Sequence, residues 1–322
     1  MASAILYPRE FRNLSTAWQS DEDTIIVLHT PAVLLWFGDY FLQTIERFAL
    51  GKRPVIFCDV NEMDQLALLT SARLYYAVLV ADSGPLEAPL RGQPLGVQTL
   101  LRDSHSRGRL FMLWSEQLTR PKIVEQFARI TRHFPGIRVV HYTSANKRRA
   151  LALPAEMQQV VPFYPLLEHY RQFWETPKIF DVCFIGTVSA RRSAINYELA
   201  NAFEKFEEIR AFGVARDRAV AACRVLVNTH FADDYQVLET IRVAPALASG
   251  VLVVSEHCVA TNLTRLERHI EFAHQLDIVF ETREVLAQYA GRRAALMEFL
   301  EMHYEKDTRL TLPFLSPMPV DF

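Results

Sequence analysis

Short, continuous apolar runs recur along the chain, and most of them end in polar residues. A first series comprises Thr24–His29 (TIIVLH), Pro54–Val60 (PVIFCDV), Ala77–Ala81 (AVLVA), Leu110–Trp114 (LFMLW) and Ile137–His141 (IRVVH). A second comprises Ile179–Ile185, Ile209–Phe212, Val225–Thr229 and Val251–Ser255, with Ile278–Phe280 as a weaker member. Runs of this length without alternation describe strands covered on both faces, as in a parallel sheet. Between them the pattern takes on a helical period. Val33–Phe48 shows it, and Lys122–His133 sets Ile123, Phe127 and Ile130 on one side before Pro135-Gly136. Ser193–Phe206 aligns Ile195, Leu199, Ala202 and Phe206, with Ser189 as its N-cap. This alternation predicts an α/β protein of two Rossmann-like domains facing a cleft.

The proline- and aromatic-rich stretch from Val161 to Pro177 separates the two series. The expected division is a first domain over residues 1–165 and a second over 166–322. The last helix and the tail from Leu312 are candidates for packing back on the first domain. A chain of 322 residues, half hydrophobic and 22% charged, has the material for two globular cores. Its net charge of -2 shows no basic excess, from which nucleic acid is not expected as a partner. Cys58, Cys183, Cys223 and Cys258 stand far apart, which reads as buried free thiols rather than disulfides or a zinc site. No basic segment leads into a long apolar run, so a cytoplasmic location is expected. Trp36, Phe37, Tyr40 and Phe41 suit one buried helix face, and peripheral membrane contact is the alternative.

Several chemistries lack their signatures. The chain contains no GxG, GxxxxGK[ST], GxSxG or HExxH, which lowers the case for dinucleotide oxidoreductases, phosphate-loop NTPases, α/β-hydrolases and zinc peptidases. Asp21-Glu22-Asp23 has the form of a metal-binding DxD but precedes the first strand, where a solvated turn is expected, and no metal site is assigned. The strand ends of the second half carry more. Gly186-Thr187 closes one strand, and Arg191 and Arg192 fall in the first turn of the helix that follows. Cations there oppose the helix dipole, and a bound anion would offset the cost. Backbone N–H groups and two guanidiniums suit a diphosphate, whereas a solvated basic turn pairing with acids such as Glu198 is the plain alternative. Asn228 and His230 lie at the next strand end, where His230 either meets a ligand or satisfies loop carbonyls. Glu239 and Thr240 open the following helix. A glutamate there can accept both hydroxyls of a ribose or simply complement the dipole.

The run DVCFIGTVSARR, then VNTH, then LETIR and ALASGVLVVSE resembles the nucleotide-sugar domain of GT-B glycosyltransferases. The segments Leu113–Leu118 and Val140–Asn146 are similar to parts of the same superfamily's first domain. The resemblance implies that Arg191 and Arg192 hold the diphosphate of a nucleoside-diphosphate sugar, UDP-sugar favoured, and that Glu239 holds the ribose. It places His230 near the sugar or phosphate and Gly213-Val214 near the base. The implied acceptor is a glycan, lipid-linked or protein hydroxyl. Retaining relatives carry a second glutamate eight residues before the ribose-binding one. Phe231 stands there, with Asp233 and Asp234 nearby, which favours inversion without a metal. The base is then expected from the first domain, with Glu116 ranked above Asp39 and His29 also considered, although each residue also has a purely structural reading. A nucleotide-sugar epimerase and a non-catalytic sensor or scaffold are the competing readings.

Overall fold

The computed structural model describes residues 5–6, 24–29, 55–59, 75–81, 95–151, 153–161, 163, 165–259 and 263–304. The chain divides into two compact units, with the boundary between Val161 and Pro162. The predicted helix Val33–Phe48, with its aromatics, and the tail from Leu312 lie outside the described residues.

The first unit holds strands β1 (Ile5–Leu6), β2 (Thr24–His29), β3 (Val55–Asp59), β4 (Tyr75–Ala81), β5 (Leu110–Trp114), β6 (Arg138–His141) and β7 (Gln158–Val160). They form one parallel sheet in the order β1-β3-β2-β4-β5-β6-β7. The chain leaves β2 for β3 on one side and reaches β4 on the other, so the order reverses between β2 and β4. Helices α1 (Leu95–Ser106), α2 (Pro121–His133) and α3 (Ser144–Arg149) belong to this unit. Proline at the start of α2 costs no hydrogen bond, and Arg132 and His133 in its last turn complement the dipole. Its predicted stripe is the buried one, since Ile123, Phe127 and Ile130 join Met112 and Trp114 in the core. The Trp114 and Phe127 rings meet edge-on at 5.0 Å. Burial of each such side chain is worth about 1.5–3 kcal/mol over leaving it exposed.

The second unit runs through α4 (Leu167–Tyr170), β8 (Phe180–Ile185), α5 (Ala190–Ala202), β9 (Phe206–Ile209), α6 (Gly213–Ala221) and β10 (Cys223–Asn228). It continues through α7 (Thr240–Ala248), β11 (Leu252–Glu256), β12 (Ile270–Ala273), α8 (Ile278–Ala287) and α9 (Tyr289–Met302). The sheet is parallel, in the order β12-β11-β10-β8-β9. Its order reverses between β8 and β10, the place where open α/β sheets bind ligands beyond the carboxyl ends of their strands. Helix α7 is almost wholly buried and ends at Gly250, whose φ of 73° is one that side chains rarely adopt. A Cβ there would also stand 2.8 Å from the Met297 sulfur of α9, so this turn requires glycine twice over. Arg293 of α9 donates to the Trp174 carbonyl, and Tyr304 donates to the Pro165 carbonyl. The last helix therefore packs within the second unit.

Three sequence expectations move. Ile278–Phe280 is the first turn of α8, because Ile278, Thr282 and Val285 are buried at helical spacing and that period outweighs a three-residue apolar run. The strand beside β11 is Ile270–Ala273 instead. Helix α5 ends at Ala202 rather than Phe206, and β9 covers Phe206–Ile209 rather than Ile209–Phe212. Being an edge strand paired only with β8, β9 carries Glu207 and Glu208 and shows no apolar run. Cys183 and Cys223 are buried free thiols and Cys258 is half-buried and free.

Candidate functional site

The ends of β8, β10 and β11 converge on three arginines. Ser189 caps α5 by accepting the Arg192 N–H at 3.2 Å, and its hydroxyl donates to the Phe231 carbonyl at 2.8 Å. These two hydrogen bonds of one short side chain fix where α5 begins, and hence where Arg191 and Arg192 leave the backbone.

Arg192 turns inward and is 1% exposed. Its guanidinium donates to the Thr229 carbonyl from Nε (3.1 Å) and Nη2 (2.7 Å) and to the Thr187 carbonyl from Nη1 (2.9 Å). It thus bridges the ends of β10 and β8 across the point of order reversal. Nη2 also reaches Glu239 at 3.2 Å, and the rings of Phe184 and Phe231 flank the guanidinium at 5.6 and 5.4 Å. Burial, then the nearby charge of Arg242, pulls its pKa down to about 10, opposed by Glu239. Arg191 turns the other way. It grips Glu256 through both terminal nitrogens, at 2.7 and 2.5 Å, and donates to Asp233 and Gln275. Glu256 holds its pKa above the ordinary arginine value. The same carboxylate, 6% exposed, accepts the His230 backbone N–H at 2.5 Å. One buried anion therefore joins the ends of β10 and β11 to the start of α5.

Glu239 precedes α7 without capping it by a side-chain bond. Its two carboxylate oxygens go to Arg192 and Arg242. His230 is buried, and its Nε2 donates to the His257 carbonyl at 2.9 Å, so the loop-carbonyl reading of this histidine is the one observed. Asn228 Nδ2 donates to Ser255 Oγ at 2.9 Å. Asn228 Oδ1, Thr229 Oγ1 and Thr240 Oγ1 are buried without a hydrogen-bond partner. Such atoms call for a ligand or water. Gly186 and exposed Thr187 continue β8, and Gly213 and Val214 open α6 after the neighbouring β9. Val214 is 63% exposed. Arg242 and Glu256 gained no role from the sequence. Their signals were spacing, with Arg242 three residues past Glu239 on a helix, and a charged residue closing the apolar strand β11.

In the first unit, Glu116 is half-buried one residue beyond Ser115, which follows β5. Its backbone carbonyl accepts from Asn146 Nδ2 at 2.7 Å, while Asn146 Oδ1 accepts the Leu118 N–H at 2.9 Å. The two segments that carried the first-domain resemblance are thus stitched together by one amide. His29 is buried at the end of β2, in register with Asp59. Asp39 lies outside the described residues. Among the described residues no helix is long and apolar enough to cross a membrane.

No family model matches this sequence. Three uncharacterized proteins of Acanthamoeba polyphaga mimivirus are similar to it. One is 29% identical over 49% of this chain and 18% of its own length, and a second is 27% identical over 55% and 25%. The third is 27% identical over 78% of each chain. The chain thus spans a quarter or less of the first two relatives. Among solved structures, an alpha-glucosyltransferase in complex with UDP and a 13-mer DNA superposes with a TM-score of 0.57 at 10% identity, over 90% of this chain and 100% of that one. The same enzyme bound to UDP-glucose and DNA containing an abasic site also gives 0.57 at 10% identity, over 90% and 99%. T4 phage BGT in complex with UDP-glucose gives 0.50 at 11% identity, over 90% and 96%.

These neighbours overturn the exclusion of nucleic acid, since proteins of this fold are seen bound to DNA. The error was to read a bulk charge as a local one. Residues 95–161 carry eleven Lys and Arg against four Asp and Glu, a net of +7 inside a chain of net -2. Surface potential follows the local distribution rather than the sum. What the likeness establishes is architecture: two Rossmann-like units with parallel sheets, the fold of the GT-B glycosyltransferases.

Proposed function

We propose that this protein transfers a sugar from a nucleoside-diphosphate sugar, with UDP-sugar favoured, to a hydroxyl acceptor with inversion. The observation that carries the reading is the arginine–glutamate constellation at the strand-order reversal of the second sheet, within a GT-B fold. Guanidiniums and the N-terminus of α7 offset the charge that develops on a departing diphosphate. Glu239, at the start of that helix, is the proposed partner of a ribose diol. The position eight residues before it is Phe231, whose ring flanks Arg192, so no carboxylate stands where retaining relatives have one. Glu116 is the proposed base, at the carboxyl edge of β5, with Asp39 second. The +7 segment puts polyanionic acceptors, nucleic acid included, beside glycans, lipid-linked sugars and proteins.

Thermal-shift measurement against UDP, GDP, dTDP, CDP and CMP, with and without Mg²⁺, tests the donor class. Stabilisation by one diphosphate and not by CMP is expected, and a folded chain that none of them stabilises refutes the donor site. With an acceptor in hand, Glu116→Gln is expected to slow turnover about 100-fold or more without weakening nucleotide binding. Unchanged turnover would remove Glu116 from the mechanism.

A further inference from the structure

The arginines at the end of the second sheet differ in how many N–H groups they have left. A guanidinium offers five donors. Arg191 spends all five, on Asp233, Gln275, the His230 carbonyl and both oxygens of Glu256. Arg192 spends four and is buried. Arg242 spends two, on the Ile185 carbonyl at 3.3 Å and on Glu239, and its side chain is 18% exposed. The residue with donors to spare is therefore the one the sequence did not single out. It sits in the first turn of α7, where its charge opposes the helix dipole.

Gly186 makes this placement feasible. A Cβ at that position would stand 3.1 Å from both Cζ and Nη1 of Arg242 and 3.2 Å from Nη1 of Arg192. With hydrogen there instead, the guanidinium lies close against the backbone at the end of β8. The buried and unpartnered Asn228 Oδ1 and Thr229 Oγ1 lie at the end of the adjacent strand β10, and Thr240 Oγ1 at the start of α7. Each oxygen of Glu239 already accepts from a guanidinium, so a ribose diol, which brings two further O–H donors, competes with Arg192 and Arg242 for the same carboxylate.

We infer that the Glu239–Arg242 ion pair is a placeholder for the donor. On binding, the ribose diol takes Glu239 and the diphosphate takes Arg242, so one molecule satisfies both ends of the pair it opens. This rests on the nucleotide-sugar reading. Either half alone fails to do so. A nucleoside that takes Glu239 leaves the Arg242 charge unpaired, and a bare diphosphate that takes Arg242 faces the freed Glu239 carboxylate. The exchange therefore selects for ribose and diphosphate in a single ligand, and it positions Arg242 as a donor-binding residue beside Arg192, which holds the strand ends.

Calorimetric titration of the full chain with UDP, uridine and inorganic pyrophosphate tests this. Glu239→Gln removes the competing carboxylate and is expected to bind pyrophosphate at least tenfold more tightly than wild type, while binding UDP more weakly. Arg242→Ala is expected to lose at least tenfold in UDP affinity while binding uridine more tightly than wild type, because no cation is left unpaired when uridine takes Glu239. Combining the two changes should abolish the pyrophosphate gain. A Glu239→Gln chain that gains nothing for pyrophosphate, or an Arg242→Ala chain that binds UDP like wild type, overturns the inference. Circular dichroism checks folding, and if Arg242→Ala does not fold, Arg242→Gln carries the same expectation. Wild-type protein that binds no nucleoside diphosphate sinks the donor reading itself, an outcome distinct from UDP binding that ignores Arg242.

Discussion

The carboxyl edges of the two sheets carry the same kind of positions and opposite kinds of chemistry. In the first unit the described part of that edge, at the ends of β5 and β6, is held mainly by neutral groups, with Arg149 adding one long bond to the Leu118 carbonyl. Asn146 ties the loop after β5, and His141 at the end of β6 bonds to Gln158, whose amide in turn donates to the Ala150 and Leu153 carbonyls. In the second unit the edge is held by exchangeable charge, in which Arg191, Arg192 and Arg242 face Glu239, Glu256 and Asp233. Neutral amide networks bond main chain and have no easy substitute partner. Ion pairs with residual exposure can trade an internal partner for a charged ligand at modest net cost. Similar architecture has been turned into a fixed edge in one unit and a responsive edge in the other.

The sharpest way to break that contrast is Arg192, the one member of the charged edge that is buried and committed to carbonyls. Arg192→Ala leaves the Thr187 and Thr229 carbonyls without their donors and Glu239 short of one cation. A loss of about 3–5 kcal/mol is expected, the cost of removing one partner from a buried charged network. Amide exchange should rise at the ends of β8 and β10 and stay unchanged in β5 and β6. Equal loosening of both sheets would mean that the edges are not independent.

A smaller effect is expected from pH, and it tests the neutral edge. The His141 pKa is lowered to about 4, chiefly by burial, with Lys147 adding to the depression and the Gln158 bond opposing it. Since Gln158 donates its own N–H groups to carbonyls, its oxygen accepts from His141 Nε2, which fixes the neutral tautomer. Unfolded chains take up this proton near pH 6.5, whereas the folded chain refuses it until about pH 4. Stability is thus unaffected above pH 6.5 and falls as pH drops toward 4, by about 1.4 kcal/mol per unit and about 3 kcal/mol in all. Denaturant unfolding of wild type and His141→Asn across that range should show the slope only in wild type. Parallel curves would assign the acid sensitivity to other groups.

Much of this was legible in the sequence, and the failures share a cause. Continuous apolar runs located β2, β5, β8, β10 and β11 because strands buried on both faces have no freedom in residue type. The edge strands β7, β9 and β12 escaped, since Glu207 and Glu271 are tolerated where one side faces water and Gln158 is buried with its amide bonded to His141, Ala150 and Leu153. At the site, charge at the wrong end of a helix drew attention to Arg191 and Arg192, which the structure ties to acids and carbonyls. It did not tell which of their donors were already spent, because that depends on Glu256 and Asp233, which lie 65 and 42 residues away. Arg242 was equally visible beside Glu239 in LETIR, but its approach to Gly186 is a contact across 56 residues that no local pattern encodes.

The smallest expected effect falls on Asn146, and it decides whether the first edge is held as described. Asn146→Ala removes the donor to the Glu116 carbonyl and the acceptor for the Leu118 N–H in a fully buried setting. Two unmade bonds of neutral groups are expected to cost about 1–3 kcal/mol, with faster amide exchange confined to residues 115–120. Asn146→Asp separates the two contacts, because it keeps an acceptor for Leu118 but turns a carboxylate oxygen toward the Glu116 carbonyl, and so should be no more stable than alanine at neutral pH. Both variants are expected to bind UDP as wild type does, since neither touches the charged edge. If Asn146→Ala instead weakened UDP binding while leaving stability intact, the neutral edge would be part of the donor response, and the division of labour between the two sheets would fail.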